Sequence, residues 1–116
     1  MDIIKLTAVL AEARVRASIA CHDYYENHLG GHDQFPCGFA WVEIHEYDGV
    51  RIRGNTRVGR MLAECGLYQD HSRVFTMWDP GNYPVQNVDC KIAGCEAAVE
   101  VLRGYGFTCY VGSRLD

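Results

Sequence analysis

Four arginines fall within ten residues, at Arg51, Arg53, Arg57 and Arg60, in the run Arg51-Ile52-Arg53-Gly54-Asn55-Thr56-Arg57-Val58-Gly59-Arg60. A guanidinium presents a planar fork of donors that matches phosphate or carboxylate. The start of a helix exposes unpaired N–H groups and a partial positive charge, so it attracts anions. Asn55-Thr56 reads as such a start, with Thr56 as the N-cap, and Gly54 and Gly59 would let the backbone approach a ligand closely. The run reads as an anion site; its alternative is a solvated hairpin edge whose charges discourage pairing with other strands. Neither the Walker spacing nor the dinucleotide fingerprint is present.

A second candidate is Trp78-Asp79-Pro80-Gly81-Asn82-Tyr83-Pro84-Val85-Gln86-Asn87-Val88-Asp89, a loop between a strand and a helix. Loops at the carboxyl ends of strands are where α/β sheets bind ligands. Here Trp78 or Tyr83, or Trp41 earlier in the chain, would stack a base while Gln86 and Asn87 read its edge. The alternative is a rigid turn with polar caps.

Metal and nucleophile chemistry find less support. Cys21, His22, His28, His32 and Cys37 offer ligand types within 17 residues, and Cys90 and Cys95 offer two more. None follows the tight paired spacing of a structural zinc site, so neither a metal nor a cofactor is expected. Cys37 with His45 or His32, and Glu43 as an acid or base, would be the partners of a nucleophilic enzyme. No local signature singles them out, and no catalytic residue is assigned. The six cysteines, without an export signal, read as reduced and mostly buried thiols.

The elements that must position these groups can be read from spacing. Ile3, Leu6, Leu10, Ala13, Ala17, Ala20 and Tyr24 draw one apolar stripe on a long helix over about residues 3–28, closed by Gly30-Gly31. Its length suits a sheet-covering helix, a partner's helix, or both, which makes it a candidate homo-oligomer surface. Residues 38–47 read as a strand, and Asp48-Gly49 before Val50-Arg51-Ile52-Arg53 is a two-residue hairpin signal. In that register Tyr47 faces Val50, His45 faces Ile52 and Glu46 faces Arg51. A short helix through Val58, Met61, Leu62 and Cys65 follows, then a strand over Arg73 to Trp78. Asp89 is the expected cap of a helix over about 90–103 that buries Ile92, Cys95, Val99 and Leu102, and Phe107 to Val111 is the last strand. The order predicts one α/β or α+β domain over 1–116, in three layers, with a small mixed sheet that is partly parallel.

Composition narrows the function classes. The chain has 116 residues, 48% of them hydrophobic and 22% charged, with a formal net charge of −4. That is ordinary for a globular domain and argues against a sequence-independent nucleic-acid coat, which needs a basic excess. No apolar run approaches a membrane span, and the opening residues lack a signal-peptide pattern.

From residue 37 onward the sequence resembles a group of short proteins encoded by tailed bacteriophages and prophages. The resemblance rests on Cys37-Gly38-Phe39-Ala40-Trp41-Val42, Gly54-Asn55-Thr56, Trp78-Asp79-Pro80, Gln86-Asn87-Val88-Asp89 and Gly112-Ser113-Arg114-Leu115-Asp116, with Tyr24-Tyr25 and Leu29-Gly30-Gly31 before them. It implies the cytosol of an infected bacterium and supplies no catalytic residues. Small phage proteins outside the virion often act against host defence. The expected function is a counter-defence protein that sequesters a small phosphorylated nucleotide signal, cyclic or adenine-based. Arg51, Arg53, Arg57 and Arg60 would hold phosphates with help from Asn55, Thr56 and the tail residue Arg114. The alternatives are a small enzyme acting on such a nucleotide and a protein–protein inhibitor of a host defence protein that works through the first helix.

Overall fold

The computed structural model describes residues 1–116. The elements follow in the order α1 (Ile3–Asn27), β1 (Gly38–Tyr47), β2 (Val50–Arg51), α2 (Arg57–Glu64), β3 (Tyr68–Gln69), β4 (Phe75–Trp78), α3 (Val88–Gly104) and β5 (Phe107–Leu115). The expected α+β order is present with one added strand, β3, which is too short to show any alternation in the sequence.

Every strand pairing is antiparallel, so the expected parallel pairing does not occur. β1 is the centre of the sheet, with β5 along one side and β4, then β2, on the other; β3 continues beyond β4. The crossover connections thus return the chain to either side of one strand in opposite direction. The hairpin register holds, with Glu46 opposite Arg51 and Tyr47 opposite Val50. Asp48 and Gly49 both take positive φ, 51° and 76°, as the tight turn demands.

Burial along β1 alternates, as a sheet covered on one face requires. Ala40, Val42 and Ile44 point inward with Phe75 and Met77 of β4 and Phe107 and Cys109 of β5, and each is at most 3% exposed. α3 packs on β1 and β5, and α1 packs on α3. Leu6, Val9, Leu10, Ala13 and Ala17 of α1 share one core with Met61 and Leu62 of α2 and Cys95, Ala98, Val99 and Leu102 of α3. All three helices lie on that side, so the domain has two layers rather than the expected three.

The caps differ in part from expectation. Thr56 caps α2 as its spacing predicts. α1 is capped by Asp2, and α3 by Asn87 rather than Asp89, which instead stands in the first turn of the helix. The expected strand from Arg73 begins only at Phe75, because Asp70 to Val74 form a turn.

Candidate functional site

The site is built on the uncovered face of the sheet and on the loops at one end of it. On β1 the outward residues are Phe39, Trp41, Glu43 and His45. Register places Trp78 and Thr76 of β4 opposite Trp41 and Glu43, and Arg114, Gly112 and Tyr110 of β5 opposite Phe39, Trp41 and Glu43. The rings of Trp41 and Trp78 are 3° from parallel with centroids 5.6 Å apart, and Phe39 meets Trp78 at 5.7 Å. Trp41 rests on Gly112: a Cβ there would stand 2.5 Å from Cε2 and 2.8 Å from Cζ2 of the indole. Only a glycine lets the ring lie flat on the strand.

Polar groups stand among these rings. The Trp41 indole N–H donates to Glu43 Oε2 at 3.1 Å, and His45 Nε2 lies 3.4 Å from Glu43 Oε1. His45 in turn meets the Tyr110 ring edge-on at 5.5 Å. At the other end, the Arg114 guanidinium and Lys91 Nζ lie 5.1 Å and 5.2 Å from the Phe39 ring centroid. A depression of about 480 Å³ opens here, walled by Trp41, Glu43, Tyr68, Trp78 and Arg114 and closed by the β3–β4 turn.

A second depression of about 480 Å³ adjoins that turn. Arg51, Arg53, Gly54, Asn55, Gln69, Ser72 and Arg73 surround it, and Ile52 is its only apolar wall. Ser72 belongs to both depressions. No arginine or lysine of the chain is ion-paired with a carboxylate, since the only such contact is His45 with Glu43. Glu46, although opposite Arg51 in register, does not neutralise it. Three uncommitted guanidinium groups around one basin make it a strongly anion-attracting surface.

Arg73 is held there by an over-determined turn. Its φ is +65°, in the left-handed region that a side chain adopts at a cost of about 1 kcal/mol. A three-residue hairpin loop needs that conformation at its last position, where glycine is usual. Asp70 Oδ1 accepts the N–H groups of Ser72 at 2.8 Å and Val74 at 3.0 Å, and Arg73 N–H donates to Asp70 O at 2.9 Å. Gln69 Nε2 donates to Arg73 O at 3.1 Å. A strained residue fixed by its surroundings in a basin is a pattern associated with binding sites.

The twelve residues expected from the sequence separate into three groups. Arg51, Arg53 and Asn55 line the arginine basin, and Trp41, Trp78 and Arg114 line the aromatic depression beside it. Arg57 and Arg60 stand exposed on α2 and line neither. The remaining four serve the fold. Thr56 Oγ1 accepts Gly59 N–H and donates to Arg53 O at 2.8 Å, and Gly59 is small because its Cα abuts that same carbonyl, not a ligand. Asn87 is 1% exposed; its side chain accepts Cys90 N–H and donates to Gln34 O. Gln86 is exposed, and its backbone N–H donates to Asp33. Tyr83 bonds His22 Nδ1 at 2.7 Å and packs on Tyr25, against α1.

Arg73, Tyr68 and Phe39 were outside the expected set. Phe39 and Tyr68 follow once strand alternation is combined with the pairing register; Arg73 follows only from the hairpin that β3 makes with β4. The candidate nucleophilic pairs are not assembled: His45 meets Glu43 and Tyr110, while Cys37 bridges to Asn87 and accepts from Asp116 through its backbone. Burial pushes the Cys21 thiol up to about 12 and the Cys109 thiol to about 11, and raises Cys90 and Cys95 as well. Such thiols are poor nucleophiles at neutral pH. No three His, Cys, Asp or Glu side chains are grouped to hold a metal ion, and no helix is long and apolar enough to cross a membrane.

Comparison with family models, curated proteins and solved structures returns no match for the chain. What the site can do follows from its geometry: stack a planar group on an indole pair, and hold an anion a short distance away.

Proposed function

We propose that the chain is a binding protein for a small phosphorylated nucleotide, and that it acts in the cytosol of an infected bacterium by sequestering such a molecule as a defence signal. The observation that carries this reading is the adjacency of the two depressions at Ser72. One offers π-faces at Trp41 and Trp78, and the other offers the guanidinium groups of Arg51, Arg53 and Arg73. A nucleotide joins a planar base to an anionic group, and aromatic stacking is worth about 1–3 kcal/mol per base. Phosphates belong with Arg51, Arg53 and Arg73 in this reading, and Arg57 and Arg60 no longer take part. Glu43 replaces Gln86 and Asn87 as the group that reads the base edge.

Native mass spectrometry of the purified protein with a panel of mono-, di- and cyclic nucleotides tests the reading. An intact adduct of defined mass is expected, lost in the triple variant Arg51→Ala, Arg53→Ala, Arg73→Gly. A protein that stays bare across the panel contradicts it, and a consumed nucleotide moves the reading to an enzyme.

One observation favours a second reading. The outer face of α1 exposes Ile4 at 79%, Val15 at 58% and Ile19 at 51%, in line with the exposed Ala8 and Ala11. An apolar row of that kind suits a second helix, either from a host defence protein or from another copy of the chain. Ile4→Glu with Val15→Glu would then abolish the association while leaving nucleotide adducts intact.

A further inference from the structure

The open sheet face is longer than the part a single nucleotide would use. Along β1 it carries Phe39, Trp41, Glu43 and His45, with Trp78 on one flank and Tyr110 and Arg114 on the other. Three rings form a connected series, Phe39 to Trp78 at 5.7 Å and Trp78 to Trp41 at 5.6 Å. A further pair, His45 and Tyr110, stands beyond Glu43.

Cations close both ends of this row. Arg114 is opposite Phe39 in register, and Arg51 is opposite Glu46. Phe39 and Glu46 are seven positions apart along β1, a backbone span of about 23 Å. Arg114 does not reach along the row, because its guanidinium is held 5.1 Å from the Phe39 centroid. Between the two ends the charge has the opposite sign. Glu43 is a pure acceptor in the middle of the row, tied to Trp41 and His45, and Asp70 faces inward to cap Ser72 and Val74. A phosphate is repelled from the centre and drawn to either end; a base that bears an amino group is welcome there, since carboxylates accept from such edges.

We infer that the ligand is a short oligonucleotide, with at least two bases stacked on the Phe39–Trp78–Trp41 row and phosphates at both the Arg114 end and the Arg51–Arg53–Arg73 basin. The inference rests on the nucleotide reading above and extends it from one base to several. Single strands bind in this way where aromatic side chains on an open sheet alternate with cations. The net charge of −4 and the short row limit the ligand to a few residues.

A tryptophan-fluorescence titration of the intact protein with 5′-phosphorylated oligoadenylates of one, two, three and six residues tests the length. Affinity is expected to rise at least tenfold from the monomer to the trimer and to change less than threefold from the trimer to the hexamer. The slope of log affinity against log salt should steepen by about 0.7 for each added phosphate that is neutralised. Arg114→Ala should weaken the trimer about tenfold and the monomer less than threefold; the side chain is exposed, and a thermal melt checks that the fold is kept. Oligouridylates, which lack an amino group, should bind more weakly than oligoadenylates, and Glu43→Gln should shrink that difference. Equal affinity for monomer and trimer, or a loss on Arg114→Ala that ignores length, overturns the inference and leaves the single-nucleotide reading standing. Failure of every oligomer and of the monomer removes both, and a protein ligand for the aromatic face would take their place.

Discussion

The two faces of β1 are made by one stretch of ten residues, yet they do opposite things. Ala40, Val42 and Ile44 are sealed beneath α3 and the neighbouring strands, whereas Phe39, Trp41, Glu43 and His45 carry larger and more polar groups that remain accessible. The inward set is small and branched because the helical layer lies close over it. The outward set is aromatic although nothing covers it, and exposed rings on a sheet are costly unless something uses them. Stability resides in one face and, in the proposed reading, recognition in the other, so substitutions on the two should separate cleanly.

The largest effect belongs to the inward face. Ile44→Ala or Leu102→Ala removes a fully buried side chain and should cost about 2–5 kcal/mol by urea unfolding. Trp78→Ala, at 44% exposure, should cost about 1 kcal/mol or less, the scale of a cross-strand pair. Comparable losses from both faces would mean that the outward aromatics are structural.

Next comes Gly112→Ala. The new methyl overlaps the Trp41 indole, which can swing outward because its face is open. Nucleotide affinity should fall about tenfold, or about 1.4 kcal/mol, while unfolding free energy changes by under about 1 kcal/mol, below the usual cost of overpacking a closed core. An equally large loss of stability would show that the ring has nowhere to go.

Arg73→Gly sharpens the comparison further, because its two effects have opposite sign. Removing the side chain from φ +65° should stabilise the protein by about 1 kcal/mol, read as a higher denaturation midpoint. The same change should weaken anion binding about fivefold by calorimetry. A variant that is both less stable and a weaker binder would contradict the assignment of the strain to the site.

The smallest effect concerns Asp79, at the edge between the faces. Its Oδ1 is buried with no hydrogen-bond partner, and its φ is +39°. Burial raises its carboxyl above the ordinary range, partly opposed by Lys91 and by a bond from the Asn82 backbone. The folded state therefore keeps this proton to higher pH than the unfolded chain does. Stability from this group is present in acid and is lost as pH rises from the ordinary carboxylate value through the raised one. Asp79→Asn, which tolerates the same backbone conformation, should stabilise the protein at pH 7 and leave it nearly unchanged at pH 3. A loss of stability at pH 7 would mean that the attraction to Lys91 outweighs the burial.

Much of the fold was legible because it depends on local signals. The Asp48-Gly49 turn, the Thr56 cap and the stripe of α1 each rest on a few adjacent residues whose physics is self-contained. The direction of strand pairing was not legible in this way. The long connections between strands suggested parallel crossovers, but β4 and β5 both return antiparallel to β1, a matter of tertiary packing that no local signal encodes. Of the arginine-rich run, Arg51 and Arg53 line one basin, whereas Arg57 and Arg60 stand on α2 outside it. α2 turns those two away, and the third member, Arg73, comes from a hairpin whose first strand has two residues. Asn87 looked like a base reader because the residues that cap helices are the ones that read bases; Asp33 and Gln34 reveal which task it has.

The division between the faces is tested most directly by mapping backbone amide shifts in a labelled sample as adenosine monophosphate is added. Perturbations are expected at Trp41, Glu43, Trp78 and Gly112, at Arg51 to Asn55 and along the Asp70–Val74 turn, with the outward positions of α1 silent. Shifts concentrated on Ile4, Val15 and Ile19 of α1, or none on the sheet, would contradict the account.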